Sequence, residues 1–133
     1  MLDMLRRLLS RAVRPLGARG EDYAARHLRR LKMKILARNV EVPGGEIDIL
    51  ALDRDELVFV EVRTRASESI LSPEGSIRRK KQQAMLRAAR YVLRTRHIRT
   101  LKPRIDAIAI IWPAGTAAPT LRHHRGVLAL ANW

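Results

Sequence analysis

The sequence has no cysteine among its 133 residues. This excludes disulfide bridges, thiolate zinc sites and thiol nucleophiles, so a bound metal would need oxygen or imidazole ligands. Long apolar runs are also missing, because stretches such as residues 107–112 fall far short of the roughly 20 residues of a membrane span. The first 15 residues have no signal-peptide core or cleavage site. We therefore expect a cytoplasmic protein without a transmembrane segment.

Acidic and aromatic residues are scarce. Thirteen Asp and Glu stand against 27 Lys and Arg, and the formal charge of +14 excludes an acidic scaffold. One Phe, two Tyr and two Trp are too few for a dense platform on which single strands would stack. The cationic excess favours a polyanion, either nucleic acid or an anionic membrane surface. Because 47% of the residues are hydrophobic, a folded domain is expected.

The charge is unevenly distributed along the chain. Residues 1–34 hold ten basic and three acidic side chains, and residues 66–102 hold ten and two. Between them, residues 35–65 hold four basic and seven acidic side chains, a net of −3. Solvated faces that differ in composition would explain such runs. The positions of the acids within the middle segment indicate a more specific arrangement.

Residues 1–15 place apolar side chains on one helical face with arginines around it, which predicts an amphipathic helical extension. This helix would either lie on the domain or dock to a membrane surface or partner. Residues 16–133 are predicted to form one domain. Apolar periodicity predicts helices over 21–31 and 77–96, a short strand over 34–39, a turn at 43–45, hairpin strands over 46–51 and 57–63, a strand over 105–112 and a short edge strand over 121–124. This order indicates an α/β fold with a mixed sheet and one crossover helix.

Two carboxylates are expected to converge on the hairpin. Strand alternation puts Glu46 and Asp48 on one face, and pairing about a turn at Arg54 places Asp48 opposite or diagonal to Glu61. Acids flanked by apolar side chains are desolvated, so their mutual repulsion would raise a pKa unless a divalent cation or Arg63 offsets it. Oxygen ligands suit Mg²⁺ or Mn²⁺. Alternatively, Asp48 pairs with Arg63 while Glu61 faces solvent.

Five motifs carry a resemblance to a known family. They are Gly17-x-x-Gly20-Glu21-x-x-Ala24, Arg38-Asn39, Gly45-Glu46-Ile47-Asp48-Ile49-Leu50-Ala51, Val58-Phe59-Val60-Glu61-Val62-Arg63-x-Arg65, and Lys81-Gln82 with Ala89. Over about residues 16–110 they resemble the YraN-like family, which is classed with nucleases. That family is similar to the restriction-endonuclease-like superfamily, especially the archaeal Holliday junction resolvases, and so implies a three-layer core with a mixed sheet and flanking helices.

The resemblance implies a magnesium-dependent endonuclease that hydrolyses DNA phosphodiester bonds, branched or structured DNA included. Asp48 and Glu61, with the carbonyl of Val62, match the metal ligands, and Glu21 matches an additional acid found in resolvases. Arg63 falls where the superfamily has Lys; it can stabilise charge but is too basic to remove a proton. Lys81 matches a Lys-Gln pair at the start of the family's long helix. Since resolvase-like proteins act as dimers, a homodimer is also implied.

Several residues keep two interpretations at this point. Glu46 is either a further acid of the site or part of a turn. Glu21 is either a metal ligand or a favourable charge at the start of a helix. Lys81 is either a phosphate contact or one member of a solvated basic face. Asp106 falls at a family position whose relation to the site is open, and His27 is predicted to be a partly buried helix residue. The predicted contacts to the nucleic-acid backbone are Arg65, Arg78, Arg79, Lys80, Lys81, Arg87, Arg90 and Arg94.

Two other functions are compatible with the sequence. One is a catalytically inactive nucleic-acid-binding module of the same fold, and the other is an adaptor that docks through its basic N-terminal helix.

Overall fold

The computed structural model describes residues 18–66, 79–113, 115 and 118–128. The predicted helical extension over residues 1–15 therefore lies outside the described residues. The elements in chain order are α1 (Ala18–Arg30), β1 (Lys34–Val42), β2 (Gly45–Asp53), β3 (Glu56–Arg65), α2 (Arg79–Thr95), β4 (Lys102–Ile111) and β5 (Thr120–Leu128).

The five strands form one mixed sheet in the order β1-β2-β3-β4-β5. β1, β2 and β3 are antiparallel neighbours, and β5 is antiparallel to β4. β3 and β4 are parallel, which requires a crossover connection, and α2 lies in that connection. The predicted mixed sheet with one crossover helix is confirmed.

Each face of the sheet is covered by one helix. Side chains alternate along β3, so that Leu57 and Phe59 join the core under α2, while Val58 and Val60 join the core under α1. α1 contributes Leu28 to its core, and α2 contributes Val92. Two cores on opposite faces of one sheet give three layers, and the predicted α/β three-layer fold is confirmed.

All five strands are longer than the sequence pattern indicates, and β1 and β5 show why. β1 continues past Asn39 because Val40 and Val42 pair with the start of β2. β5 extends to Leu128, and its register against β4 shifts between Ile105 and Ala107. Gly126 has a φ of +62° in this irregular stretch, a backbone conformation that interrupts any period-two pattern.

The β2–β3 hairpin has the register that the sequence predicts. Asp53 pairs with Glu56 across a two-residue turn whose first residue, Arg54, has a φ of +59°. The ladder runs from this pair to Ile49 opposite Val60, so Asp48 and Glu61 are the next two residues beyond it.

None of the helices in the described ranges is long and apolar enough to cross a membrane.

Gly20 allows α1 to approach β3. A Cβ atom at this position would overlap Thr64 Oγ1 and lie 3.1 Å from Thr64 Cβ. We predict that Gly20→Ala lowers the free energy of unfolding by about 1–3 kcal/mol through overpacking, although Ala is the better helix former. Urea denaturation measures this change. Gly20→Ala/Thr64→Ala should recover part of the loss, and a single variant as stable as wild type would contradict the prediction.

Candidate functional site

The site lies where the β2–β3 ladder ends. Beyond the Ile49–Val60 pair, the Asp48 carboxylate takes the place of a backbone acceptor, and the Val62 N–H donates to Asp48 Oδ2 at 2.8 Å. This bond directs Asp48 toward the strand that carries Glu61. The two acids are therefore neighbours across the hairpin, as the sequence predicts.

Burial and repulsion dominate the electrostatics of this pair. Glu61 is 3% exposed. Burial raises the pKa of the Asp48 carboxyl to about 8, and the negative charges of Glu61 and Glu21 add to the effect. The hydrogen bond from Val62 favours the charged carboxylate but does not overcome these causes. Without a bound cation, the carboxylate pair therefore retains a proton near neutral pH.

Arg63 compensates only one of the two acids. Its Nη2 lies 2.7 Å from Glu61 Oε1, and the side chain is 24% exposed. The alternative in which Asp48 pairs with Arg63 while Glu61 faces solvent is wrong, because Glu61 is the buried partner of Arg63. Asp48 therefore depends on another positive group for full compensation.

Glu21 approaches the pair from the first turn of α1, where it is 6% exposed. Its charge contributes to the raised pKa of Asp48, so the two carboxylates are electrostatically coupled. Arg38 Nη2 on β1 lies 3.6 Å from Glu21 Oε1, and Arg38 Nη1 lies 2.9 Å from Asp22 Oδ1. The structure thus brings the three acids predicted for the site into one region.

The oxygen donors around Asp48 suit a divalent cation, although they do not form a complete site. Within the described ranges, no three carboxylate or imidazole side chains converge closely enough to form a complete metal site as they stand. Asp48 and Glu61 supply two carboxylates, and the Val62 carbonyl lies on the same side of β3 as its N–H, which faces Asp48. Oxygen donors with positions left for water suit Mg²⁺ or Mn²⁺. An incompletely compensated buried carboxylate pair fits such an ion.

Two arginines present unsatisfied donors at this site. In the described part of the chain, Arg38 Nε, Arg38 Nη2 and Arg63 Nε are buried without a hydrogen-bond acceptor. Buried guanidinium donors normally have an acceptor, so these atoms can take a water or an anion as their partner.

Other predicted site residues lie apart from the buried pair or outside the description. Glu46 is exposed at the start of β2, as its turn interpretation expects. Arg65 and Arg87 are exposed, Arg94 is exposed near the end of α2, and Arg90 is half-buried. Arg78 lies outside the described residues. Arg79, Lys80 and Lys81 belong to the first turn of α2, but their side chains lie outside what the structure describes.

Asp106 belongs to a different network on the α1 face of the sheet. It pairs in register with Val60, whose side chain lies under α1, whereas Glu61 points to the other face. Arg104 donates to Asp106 Oδ1 from Nε at 2.9 Å and to Oδ2 from Nη2 at 3.0 Å. The Gly126 N–H donates at 3.0 Å, and His123 Nε2 lies 2.8 Å from Oδ2.

Asp106 is completely buried, yet its charge is fully compensated. Burial alone would raise its pKa, but the hydrogen bonds from His123 and Arg104 hold the pKa below its ordinary value. Arg104 also contacts Asp53 and Glu56 at the hairpin turn. His27 on α1 is half-buried, and its Nε2 lies 3.1 Å from His123 Nδ1. This network joins α1, β5 and the hairpin.

Arg38 and Asn39 were missed as site residues by sequence reasoning, although both belong to a resemblance motif. Arg38 reaches Glu21 and Asp22, and Asn39 is 5% exposed on the same strand. The available signal was the Arg38-Asn39 motif itself, since two adjacent polar residues must place one side chain on each face of a strand.

The fold and site define an α/β protein with a buried carboxylate pair at the end of its central hairpin. Residues 20–110 match the model of the uncharacterised protein family UPF0102. A UPF0102 protein of Syntrophotalea carbinolica is 47% identical over 118 residues, covering 89% of this chain and 94% of the relative. One of Geobacter sulfurreducens is 39% identical over 116 residues, covering 87% and 90%. The chain belongs to this family, and the resemblance to the YraN-like family is confirmed.

The raised pKa of Asp48 makes stability depend on pH. The folded protein keeps a proton that the unfolded chain releases above about pH 4, so the free energy of unfolding should fall as the pH rises from about 4 to about 8. Asp48→Asn should remove this decline and be more stable than wild type at pH 9. Urea denaturation of the EDTA-treated protein measures both effects. An equal decline in the variant would contradict the assignment.

Asp106 should matter for stability. Asp106→Asn replaces a fully buried acceptor oxygen by an amide nitrogen that cannot accept from Arg104 or His123, and a loss of about 1–3 kcal/mol in the free energy of unfolding is expected. Asp53→Asn is the matched control and should cost no more than about 1 kcal/mol, because Arg104 keeps Asp106. Urea denaturation distinguishes the two, and equal stabilities would contradict the role given to Asp106.

Proposed function

We propose that the protein is a metal-dependent endonuclease that hydrolyses phosphodiester bonds of DNA, including branched or structured DNA. The observation that carries the proposal is the Asp48–Glu61 pair, in which burial and then the charge of Glu61 raise the pKa of Asp48 to about 8. A buried like-charge pair of this kind is costly unless a cation or another positive group compensates it. Its position at the hairpin end agrees with the resemblance to metal-dependent nucleases.

The acids of the site would bind the metal ion, and Arg63 would contact the phosphate. Asp48, Glu61 and the Val62 carbonyl would hold Mg²⁺ or Mn²⁺, with Glu21 as a nearby acid. The ion would lower the pKa of a bound water and screen the negative charge of the phosphate. Arg63 would orient Glu61 through their ion pair, and its buried Nε, which has no acceptor within the described residues, would donate to a phosphate oxygen. Because a guanidinium stays charged, Arg63 stabilises negative charge and takes no proton from water.

Nucleic acid would be held through its phosphates. Arg38 and Arg63 supply buried unsatisfied donors beside the acids, and Arg65 and Arg87 are exposed on neighbouring elements. Phosphate contacts of this type bind without reading base sequence. Binding should therefore weaken steeply with salt, as counterion release requires.

The proposal also covers the cellular location and the oligomeric state. We expect the protein to act in the cytoplasm and to form a homodimer, which would present two sites to a two-fold symmetric branched substrate.

One observation favours a second function, which is binding without cleavage. The Arg63–Glu61 ion pair at 2.7 Å neutralises one of the two acids, and Arg63 stands where related nucleases have Lys. A protein that retains the fold and the phosphate-binding arginines would still bind DNA. Cleavage assays separate the two functions.

We predict that Asp48→Asn and Glu61→Gln each reduce cleavage at least 100-fold in Mg²⁺ or Mn²⁺, because each removes a carboxylate from the pair. DNA affinity should change less than threefold. Duplex, flap and four-way substrates are tested for cleavage, and fluorescence anisotropy reports binding in the presence of Ca²⁺. Glu46→Gln is the matched control, since Glu46 lies on the same strand but is exposed, and it should cleave at the wild-type rate.

The outcomes separate the candidates. Persistent cleavage by Asp48→Asn and Glu61→Gln would rule out the proposed site. Salt-sensitive binding with no cleavage of any substrate by wild type would favour the binding module. Arg63→Lys restores the residue type of the related nucleases, and a gain of cleavage in that variant alone would show that Arg63 suppresses activity.

A further inference from the structure

Asn39 has an unusual backbone conformation in the middle of a strand. Its φ is +54°, a left-handed conformation that few residues other than glycine adopt, with Asn among the exceptions. Arg38 pairs with Ile49 and Val40 pairs with Ile47, so Asn39 lies at the position opposite Asp48. The irregular residue is thus the β1 neighbour of the buried carboxylate.

The side chain of Asn39 is directed at Glu21. The residue is 5% exposed, and Glu21 is 6% exposed. In the amide orientation that satisfies the hydrogen-bond network, the Asn39 side-chain nitrogen donates to Glu21 Oε1 at 3.0 Å and to Oε2 at 3.1 Å. Both oxygens of one carboxylate are therefore held by a single amide.

We propose that Asn39 is a positioning residue that holds the Glu21 carboxylate near the Asp48–Glu61 pair, where the charge of Glu21 adds to the attraction of the pair for a divalent cation. The inference rests on the proposed function, because it assigns Asn39 a role in that same metal site. Asn39 itself has no contact with the ion and acts through Glu21. Groups that fix the charged side chains around a metal site influence metal affinity without touching the ion.

The residue type fits both requirements at this position. Glycine would adopt the backbone conformation but would supply no donor to Glu21. Aspartate tolerates the left-handed conformation but would place a second negative charge against Glu21. Asparagine alone of these three combines the backbone conformation with an uncharged donor.

Manganese binding to the full chain without nucleic acid tests the proposal. Isothermal titration calorimetry with Mn²⁺ should show about tenfold weaker binding for Asn39→Gly, which keeps the backbone conformation and removes the amide. Asn39→Asp, which replaces the donor by a carboxylate that repels Glu21, should also weaken binding in the same assay without requiring a new backbone conformation. Far-UV circular dichroism and urea denaturation verify that each variant is folded.

A double-mutant cycle isolates the route through Glu21. Glu21→Gln should also weaken Mn²⁺ binding, and adding Asn39→Gly to it should cause no further loss. Independent, multiplicative losses would overturn the inference, as would wild-type affinity in either Asn39→Gly or Glu21→Gln. Either of these contrary results would still be compatible with metal binding by Asp48 and Glu61. If wild type does not bind Mn²⁺ while folded, both the inference and the proposed function fail.

Discussion

The burial of two like-charged carboxylates at one end of a hairpin is the constraint on which the site depends. A sheet can hold Asp48 and Glu61 side by side only where its ladder stops, because there the Val62 N–H is free to bind a carboxylate. The helix that brings Glu21 to the same place needs a glycine to approach the sheet. Neighbouring arginines compensate part of the charge, and the remainder makes the site electrostatically suited to a cation.

Two aspartates, Asp106 fully buried and Asp48 half-buried, show how surroundings decide the role of one residue type. Asp106 has Arg104, His123 and the Gly126 N–H as partners, and its pKa lies below the ordinary value in spite of burial. Asp48 has one backbone donor and two acidic neighbours, and its pKa is raised. The first arrangement is complete within the protein and ties elements together. The second is incomplete, which is typical of a site that binds something.

The hairpin and its acids could be predicted from sequence because they depend on local rules. Side-chain alternation and a short turn at Arg54 set the register, and apolar neighbours predict the desolvation of Asp48. The environment of Asp106 could not be predicted, since His123 comes from another strand whose register shifts at a bulge. The backbone conformation of Asn39 could not be predicted either, because periodicity describes regular strands and a left-handed residue departs from them.

The parallel pairing of β3 with β4 has a consequence for the order of folding. The hairpin joins Asp53 to Glu56, neighbours in the chain, whereas the parallel ladder joins Glu56 to Lys102 and must close a long loop. Non-local pairings of this kind form slowly. A chain with only its hairpin formed would keep Asp48 and Glu61 in water, where their repulsion is weak. The free-energy cost of desolvating them therefore arises in the late stages of folding, when α2 packs on the sheet and β4 pairs with β3.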